Sequence, residues 1–421
     1  MILSCIYRLI VFGGLLFSAG CASIEPLLAA LTPAPTPTPR PTSTPLPAAT
    51  VTPTAPVQSE PPVLRVWLPP HFNPASGSDA ATLLGDRFAE FETRHPGLKL
   101  EIRIKKMDDE NNIVDTLAVT SLAAPSALPD LVLLSRSAME AATLKGLLHP
   151  IDGLSNSLED PNWYAYAQQL AHIQNTGFGL PFAGDTEVLI YYPELGTLVS
   201  WEEVLASEGQ LVFPAGSLEG LAGLSLYASA GGDVVDADGL PNLEPEALIR
   251  VLTFVEDAVS KEVFPASLAN VATEAQTLQI YRTGSANKAI VWILNYRPLE
   301  DGAVAPLPGL GDTPFSYATG WVWALAGSNP ENQQLAVELA EFLVEDPFLG
   351  EWTRLTGYLP TRPSSVEEND RTLAAILESA HPIPSNDVLA VVGPLMQEAL
   401  TRVLNGEQPE TVAEAILEKL R

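Results

Sequence analysis

Several aromatic and charged side chains follow the ends of predicted strands or stand in short loops. His71 follows the first predicted strand, Arg136 follows the third, and Tyr358 comes directly after Gly357. Because strand ends of an open α/β sheet point into its ligand cleft, these side chains are candidates for ligand binding. The guanidinium of Arg136 can bind a hydroxyl or a carboxylate, and Tyr358 offers an aromatic rim. The alternatives are a solvated residue at a helix start for Arg136 and an isolated histidine for His71.

The carboxylates do not form a catalytic or metal-binding pattern. Asp185 and Glu187 lie on one face of a strand, whereas a glycoside hydrolase needs a second carboxylate about 5 Å, or about 6.5 to 9.5 Å, across the substrate. The acidic residues at 233–238 lack the spacing and the terminal Glu of an EF-hand. Zinc-protease, serine-hydrolase and phosphate-loop motifs are absent from the sequence. We therefore predict no catalytic residue, no cofactor and no metal site.

The predicted elements that position these residues alternate between strand and helix. In chain order they are a strand at Val63–Leu68, a helix capped by Asp79, a strand at 98–104, a helix through Ile113 and Leu117, a strand at 131–134 and a helix at 137–148. This order predicts a parallel sheet covered by helices. Strands at 188–192, 289–294 and 321–326 follow, and helices fill 330–421. About 360 residues follow Val63, more than one core usually holds, so we expect two lobes.

The first residues have the pattern of a secretory signal peptide. Residues 1–20 contain Arg8, an apolar run at 9–17 and small residues before Cys21, and the run is too short to span a bilayer comfortably. The small residues resemble a bacterial lipobox, with Ser18 where the pattern usually has Leu, so Cys21 is the predicted lipidation site. An uncleaved anchor is the alternative. The other cysteine, Cys5, would leave with the signal, so no disulfide is expected.

Residues 21–62 follow as a lipidated N-terminus and linker. The stretch 31–62 contains eleven prolines and eight threonines, which indicates an extended stalk rather than a packed core. The whole chain has 22 Lys and Arg against 51 Asp and Glu, a formal charge of −29. A field of that sign repels phosphate backbones, so nucleic acid is excluded as a partner.

Four stretches resemble the extracellular solute-binding proteins of the group that includes the maltose receptor. The first comprises LRVWLPP, LKLEIRI and PDLVLL, and the second is GFGLPFAGDTEVLIYYPEL at 177–195, where Tyr192 replaces a usual Asn. The third is GWVWALAGSNPENQQLAVELAEFL at 320–343. The fourth comprises TGYLPTR and NGEQPETVAEAIL. Their order spans nearly all of 63–421.

The resemblance implies a two-lobed α/β fold of the periplasmic-binding-protein type (type II) with discontinuous lobes. Lobe 1 would comprise 63–183 with 303–345, and lobe 2 would comprise 184–302 with 346–421. Hinge strands are expected near 183–186 and 295–303. Ligand would bind in the cleft, and a ligand that touches both lobes would favour the closed state.

The resemblance also implies further site residues. Asp185 matches a position that often contributes a ligand-facing carboxylate, and Tyr296 matches one where the maltose receptor stacks an aromatic ring on sugar. Trp321 lies where a strand begins at the cleft, and Trp292 flanks the return crossover. Aromatic platforms with planar polar groups suit the apolar faces and hydroxyl rims of sugars. The alternatives are a turn aspartate for Asp185 and core positions for the tryptophans.

These observations predict an extracytoplasmic lipoprotein, tethered by Cys21 to the outer face of the cytoplasmic membrane. It would capture a small solute, with a sugar or oligosaccharide as the expected class, for the permease subunits of an ABC importer. A tethered carbohydrate-active hydrolase and a receptor that only senses or scaffolds are the alternatives.

Overall fold

The computed structural model describes residues 62–106, 112–296, 302–311, 313–367 and 369–420. The predicted signal peptide at 1–20, the lipidation site Cys21 and the linker up to residue 61 lie outside the described residues. Within those ranges, no helix has both the length and the apolar character needed to cross a membrane.

Strands and helices alternate along the described part of the chain. The strands are β1 (Val63–Leu68), β2 (Lys99–Ile104), β3 (Leu131–Ser135), β4 (His172–Ile173), β5 (Thr176–Gly177), β6 (Gly179–Tyr191), β7 (Leu211–Val212), β8 (Lys288–Trp292), β9 (Ala303–Pro306), β10 (Ser316–Leu325) and β11 (Ala380–Pro382). The helices are α1 (Asp79–Arg94), α2 (Ile113–Ala123), α3 (Arg136–Leu144), α4 (Ala165–Leu170), α5 (Trp201–Ala206), α6 (Leu221–Ser229), α7 (Pro245–Ser260), α8 (Glu274–Arg282), α9 (Pro330–Leu343), α10 (Asp346–Thr356), α11 (Arg371–Ser379), α12 (Asn386–Leu404) and α13 (Pro409–Leu420).

The first three strands form the parallel sheet that their alternation with helices predicts. β1 pairs in parallel with β2 on one side and with β3 on the other. The first four residues of β3 are at most 1% exposed, which fits an apolar strand covered on both faces. β10 then joins β3 in the antiparallel direction, and β6 lies on the far side of β10.

β6 is one continuous strand of 13 residues. Its first part, from Gly179 to Thr186, pairs with β10, and its second part, from Glu187 to Tyr191, pairs with β8 and β9. The alternation of the sequence predicted only the second part as a strand, at 188–192. The glycines and the proline hide the first part of the strand in the sequence, because these residue types have low strand propensity. Glycine occurs here because neighbouring groups approach the backbone closely.

The strand predicted at 321–326 is β10, which begins earlier, at Ser316, and ends at Leu325. Three other predicted boundaries differ from those of the structure for local reasons. The cap of α1 is Ser78, whose side chain accepts from the N–H of Ala81, and Asp79 is the first helical residue. The helix predicted at 137–148 ends at Leu144, because Gly146 adopts a left-handed φ of 67°. The strand predicted at 289–294 ends at Trp292, where a 3-10 turn over Ile293–Asn295 begins.

The helix α10 packs on α1 at the surface of the first sheet. Arg87 of α1 lies over the ring of Phe342 at 3.3 Å and over that of Phe348 at 5.2 Å. Trp352 of α10 lies 4.4 Å from Phe182 of β6, measured between ring centroids. These contacts place α10, which is assigned to predicted lobe 2, against α1 and Phe182, which are assigned to predicted lobe 1. The boundary between the lobes at 345 and 346 therefore stays a prediction.

Candidate functional site

A cavity of about 930 Å³ lies where the β8–β9 connection meets α10, α11 and the loop between them. Tyr296 and Tyr358, two of the predicted binding residues, line it together with charged side chains of the two helices and their loop. This volume falls at the upper end of the range usual for small-molecule sites. The cavity therefore offers aromatic surface and charged hydrogen-bonding groups in one place.

Tyr358 reaches the cavity because the chain turns sharply at Gly357. Gly357 ends α10 with a φ of 86°, a conformation that glycine adopts without steric cost. The backbone of Leu359 then pairs with Gly184 of β6 through two hydrogen bonds of 2.8 and 2.7 Å. Tyr166 donates from its hydroxyl to the carbonyl of Pro360 at 2.7 Å. These contacts fix the Tyr358 loop beside the strand that carries Asp185.

Tyr296 stands at the end of the 3-10 turn Ile293–Asn295. Its hydroxyl donates to the carbonyl of Gly302 at 3.0 Å, and its ring is half-buried. Burial raises the pKa of Tyr296 further above its ordinary value of 10.0, at which a phenol is already neutral at physiological pH. A neutral phenol on a half-exposed ring can stack on a sugar and accept a hydrogen bond.

Trp321 and His71 form an aromatic cluster that continues from Tyr358. The ring of His71 lies 4.6 Å from that of Trp321, and Phe72 lies 5.0 Å from Trp321 and 5.7 Å from Tyr358, in each case between ring centroids. Burial raises the pKa of Tyr358, the Asp185 carboxyl adds to the shift, and a hydrogen bond with Trp321 opposes it. The structure thus brings together Tyr358, Trp321, His71 and Asp185.

Asp185 occupies the middle of β6, one residue before Thr186. Its Oδ1 accepts from the N–H of Thr186 at 3.0 Å and from the N–H of Leu294 at 3.3 Å. Burial raises the pKa of Asp185 to about 8, while the N–H of Leu294 opposes the shift and the Glu274 carboxyl adds to it. A large fraction of Asp185 is therefore protonated at neutral pH and can donate a hydrogen bond.

Two further carboxyl groups stand beside Asp185. Glu187 is only 6% exposed and accepts from the Ser225 hydroxyl at 3.0 Å, and burial raises its pKa to about 8. Glu274, at the start of α8, accepts from the N–H of Trp292 at 2.7 Å, and burial raises its pKa as well. Glu274 has no distinguishing signal in the sequence, because a glutamate in the first turn of a helix is common for reasons of helix-dipole stabilisation alone.

Only Tyr296 and Tyr358 of the seven predicted site residues line the cavity; the other five, Asp185, Trp321, His71, Arg136 and Trp292, do not. Arg136 donates to Glu140 at 2.9 Å, so its guanidinium already has a partner. Trp292 is half-buried and forms a backbone pair with Glu187 across β6 and β8. Their roles in ligand binding stay predictions.

Charged residues that the sequence analysis did not propose line the cavity. Arg354 and Glu351 extend from α10, and Glu367 and Asp370 precede α11. All four are exposed, and exposed charges on helix surfaces are indistinguishable in sequence from ordinary solvated ones. Among the described residues, no cluster of three or more His, Cys, Asp or Glu side chains is arranged to hold a metal ion.

The comparison with protein families supplies an independent assignment. The model of the family described as bacterial extracellular solute-binding protein matches residues 86–377. Proteins of that family work outside the cytoplasm. No curated protein sequence matches the chain.

Solved structures with low sequence identity share the fold. The maltose-bound MalE3 of T. maritima is 20% identical with a TM-score of 0.64, and the match covers 85% of this chain and 98% of that one. MalE of Listeria monocytogenes in complex with maltose is 15% identical with a TM-score of 0.68, covering 86% and 97%. The sugar-binding protein MalE of Xanthomonas citri is 19% identical with a TM-score of 0.68, covering 85% and 96%.

These likenesses confirm the predicted α/β fold with two lobes of the periplasmic-binding-protein type. The family match extends from the middle of α1 to the end of α11 and includes β6, Asp185, Tyr296 and Tyr358. Since it covers well over half of the sequence, the chain belongs to the bacterial extracellular solute-binding proteins.

Proposed function

We propose that this protein captures a sugar or oligosaccharide outside the cytoplasm and presents it to the permease of an ABC importer. The observation that carries the proposal is the cavity of about 930 Å³ lined by Tyr296 and Tyr358. Arg354 and Asp370 on the same cavity add planar donors and acceptors. The structural neighbours that bind maltose support the same class of ligand.

Capture proceeds by hinge closure in this proposal. The continuous strand β6 connects the two parts of the sheet, and the chain returns between β9, which pairs with the second part of β6, and β10, which pairs with the first part. A ligand that contacts both lobes stabilises the closed arrangement by the difference between its affinities for the two states. The permease then distinguishes the closed receptor from the open one.

The ligand is released unchanged. Glu187, the carboxyl nearest in sequence to Asp185, is buried and bonded to Ser225, which leaves it poorly placed to attack or protonate a glycoside. Among the described residues, the two carboxyl groups beside Asp185 are buried (Glu187) and half-buried (Glu274), whereas glycoside hydrolysis requires two carboxyl groups that face a substrate from opposite sides. A hydrolase is therefore the weaker candidate.

A thermal-shift screen of the full chain tests the ligand class. Neutral mono- and oligosaccharides are compared with anionic solutes and peptides, and the sugars are analysed afterwards for cleavage. A ligand present at 100 times its dissociation constant adds about 2.7 kcal/mol to stability, which moves the melting temperature by several degrees. Stabilisation by anionic solutes alone, or recovery of a cleaved sugar, contradicts the proposal.

The tether is proposed to be a lipid on Cys21, following a signal peptide at 1–20. Replacing Cys21 by Ser removes the only thiol of the proposed mature protein and moves it from the membrane fraction to the soluble fraction. Cys5→Ser is the matched control, because Cys5 lies within the proposed signal. Membrane retention of the Cys21→Ser variant rejects the lipid anchor.

A further inference from the structure

A buried ion pair stands at the start of α3. Nη1 of Arg136 lies 2.9 Å from Oε2 of Glu140, and the two side chains are 12% and 7% exposed. A desolvated charge is costly without a partner, so each side chain fixes the position of the other. The guanidinium that follows β3 is thereby engaged within its own helix.

The other oxygen of Glu140 contacts a distant helix. The N–H of Asn386, the first residue of α12, donates to Oε1 of Glu140 at 3.0 Å across 246 residues of sequence. The side-chain amide of Asn386 donates to the carbonyl of Ser137 at 2.9 Å. The positive end of the dipole of α12 also favours the Glu140 carboxylate at this position.

The two helices belong to different predicted lobes. α3 lies within 63–183 of predicted lobe 1, and α12 lies within 346–421 of predicted lobe 2. Both begin next to strands of the central sheet, α3 directly after β3 and α12 shortly after β11. In the predicted division, a contact between their first turns joins lobe 1 to lobe 2.

We propose that Arg136, Glu140 and Asn386 form a closure latch that stabilises the closed arrangement of the two lobes. The inference rests on the proposed function, since it assumes capture by hinge closure. Arg136 acts as a positioning residue: it holds Glu140 so that the free oxygen faces the start of α12. The latch adds a ligand-independent contribution to closure, which raises the affinity for any ligand that selects the closed state.

Asn386→Pro removes the inter-lobe bonds while leaving α12 able to form. Asn386 is the first helical residue, where proline is tolerated because that N–H has no partner within the helix. The preceding residue, Ser385, already has the extended ψ of 157° that proline requires before it. The variant therefore deletes the donor to Glu140 and the donor to Ser137 together.

Asp79→Pro is the matched control. Asp79 is the exposed first residue of α1, and its cap Ser78 has a similar ψ of 159°. The substitution places the same ring at the same helical position in a helix that does not take part in the latch.

Electron–electron distance measurements on the ligand-free full chain report the outcome. Spin labels are attached at Leu144→Cys in α3 and Val391→Cys in α12, both exposed positions, in a chain that carries Cys5→Ser and Cys21→Ser. We expect a dominant short distance in the parent chain and in Asp79→Pro. In Asn386→Pro, the population with the short distance should fall about tenfold relative to the population with the long distance, the factor expected for losing a hydrogen bond to a charged group.

Two results overturn the latch: a distance distribution of Asn386→Pro equal to that of the parent, or a parent chain that shows only the long distance. Glu140→Ala, which removes the acceptor but leaves the α12 backbone intact, is measured in parallel and must show the same loss if Asn386→Pro fails to fold. The readout requires no ligand. If the sugar screen fails while Asn386→Pro still shows the expected loss of the short distance, only the proposed ligand class is rejected.

Discussion

At the scale of single residues, the two tyrosines of the cavity are the strongest candidates for ligand contact. Tyr296→Ala and Tyr358→Ala each remove a ring that lines the cavity. Burial of one aromatic ring against a sugar is worth about 1.5 to 3 kcal/mol, so we expect each change to weaken binding by roughly 10- to 100-fold. Isothermal titration with the sugar identified by the thermal-shift screen measures the effect.

Phe254→Ala in α7 is the control for these variants. Phe254 is a half-buried ring that packs on Trp201 at 4.8 Å between centroids and does not line the cavity. It is expected to lower stability without changing the dissociation constant. If both tyrosine variants bind as tightly as the parent, the cavity is not the ligand site.

The buried carboxyl of Glu187 predicts an unusual dependence of stability on pH. Its pKa in the folded protein is raised to about 8 from an ordinary value of 4.5, because burial disfavours the charged form. The folded state then holds more protons than the unfolded state between these values. Its contribution to stability is complete below pH 4.5 and is lost as the pH rises towards 8. Asp185 acts in the same direction.

Urea unfolding measured from pH 5 to pH 8.5 detects this effect. Each pKa unit corresponds to about 1.4 kcal/mol, so the predicted loss is a few kcal/mol at most. Glu187→Gln keeps a partner for Ser225 but removes the titrating group, and it is expected to flatten the profile. Glu246→Gln, at an exposed position in the first turn of α7, controls for the loss of one surface carboxyl. An unchanged slope in Glu187→Gln refutes the assignment.

Residue types and neighbours in sequence reveal only part of such a site. The resemblance led to Asp185, Tyr296 and Tyr358, which the fold brings close together. The partner of Arg136 at Glu140 follows a helical spacing of four, yet the contact of Glu140 with Asn386 joins segments 246 residues apart. Only the folded chain shows that contact, because no local pattern encodes it.

At the scale of elements, Gly184 in β6 allows the close approach of α4. A Cβ placed on Gly184 would lie 2.2 Å from the hydroxyl oxygen of Tyr166, which is fully enclosed and bonded to Pro360. We predict that Gly184→Ala lowers the free energy of unfolding by about 1 to 3 kcal/mol through overpacking. It also displaces the Tyr358 loop, so ligand affinity falls as well. Chemical denaturation and titration with the identified sugar measure the two effects.

Gly85→Ala in α1 gives the opposite expectation. A Cβ there meets nothing closer than 3.5 Å, and alanine is the better helix former by about 0.5 to 1 kcal/mol. Gly85→Ala is therefore predicted to stabilise the protein slightly. If the two glycine substitutions change the free energy of unfolding equally, crowding at Gly184 is not the cause of the instability of Gly184→Ala.

Most elements could be predicted from the sequence, and the failures occurred where local and tertiary preferences conflict. β1 has the predicted bounds, and the order of β1, β2 and β3 with their helices predicts the parallel sheet. The residue pattern did not predict the first part of β6, because Gly179 and Gly184 weaken a strand pattern; only the resemblance implied a hinge strand near 183–186. Each of these glycines is required by a neighbour that only the fold supplies. A Cβ added to Gly179 would lie 2.1 Å from the carbonyl oxygen of Trp323, and a Cβ added to Gly184 would collide with Tyr166.

At the scale of the whole molecule, the proposed closure would act through the place where β6 passes from one part of the sheet to the other. Thr186 is the last residue of β6 that pairs with β10, and Glu187 is the first that pairs with β8. Thr186 is fully buried, and its hydroxyl is 2.8 Å from that of Ser316 and donates to the carbonyl of Tyr317 at 3.0 Å. These bonds fix β6 to β10 at the junction and set the stiffness of the proposed hinge.

Thr186→Val keeps the shape of the side chain and removes both bonds. Because Ser316 is also fully buried, its hydroxyl and the carbonyl of Tyr317 lose a partner away from water, and we expect a loss of about 1 to 3 kcal/mol in the free energy of unfolding. Small-angle scattering should show a decrease in the radius of gyration of the parent chain on addition of the sugar, and a smaller or less complete decrease in Thr186→Val.

Thr253→Val on α7 separates the hinge effect from the loss of a threonine hydroxyl. Thr253 is exposed and bonds only to the carbonyl of Ile249 within its own helix, so the change should leave stability and scattering nearly unaltered. A Thr186→Val protein that is destabilised yet closes fully would place the flexible point elsewhere on the crossing segments. A parent chain whose radius of gyration does not respond to a bound sugar would reject closure itself, since population shift towards a closed state must make the molecule more compact.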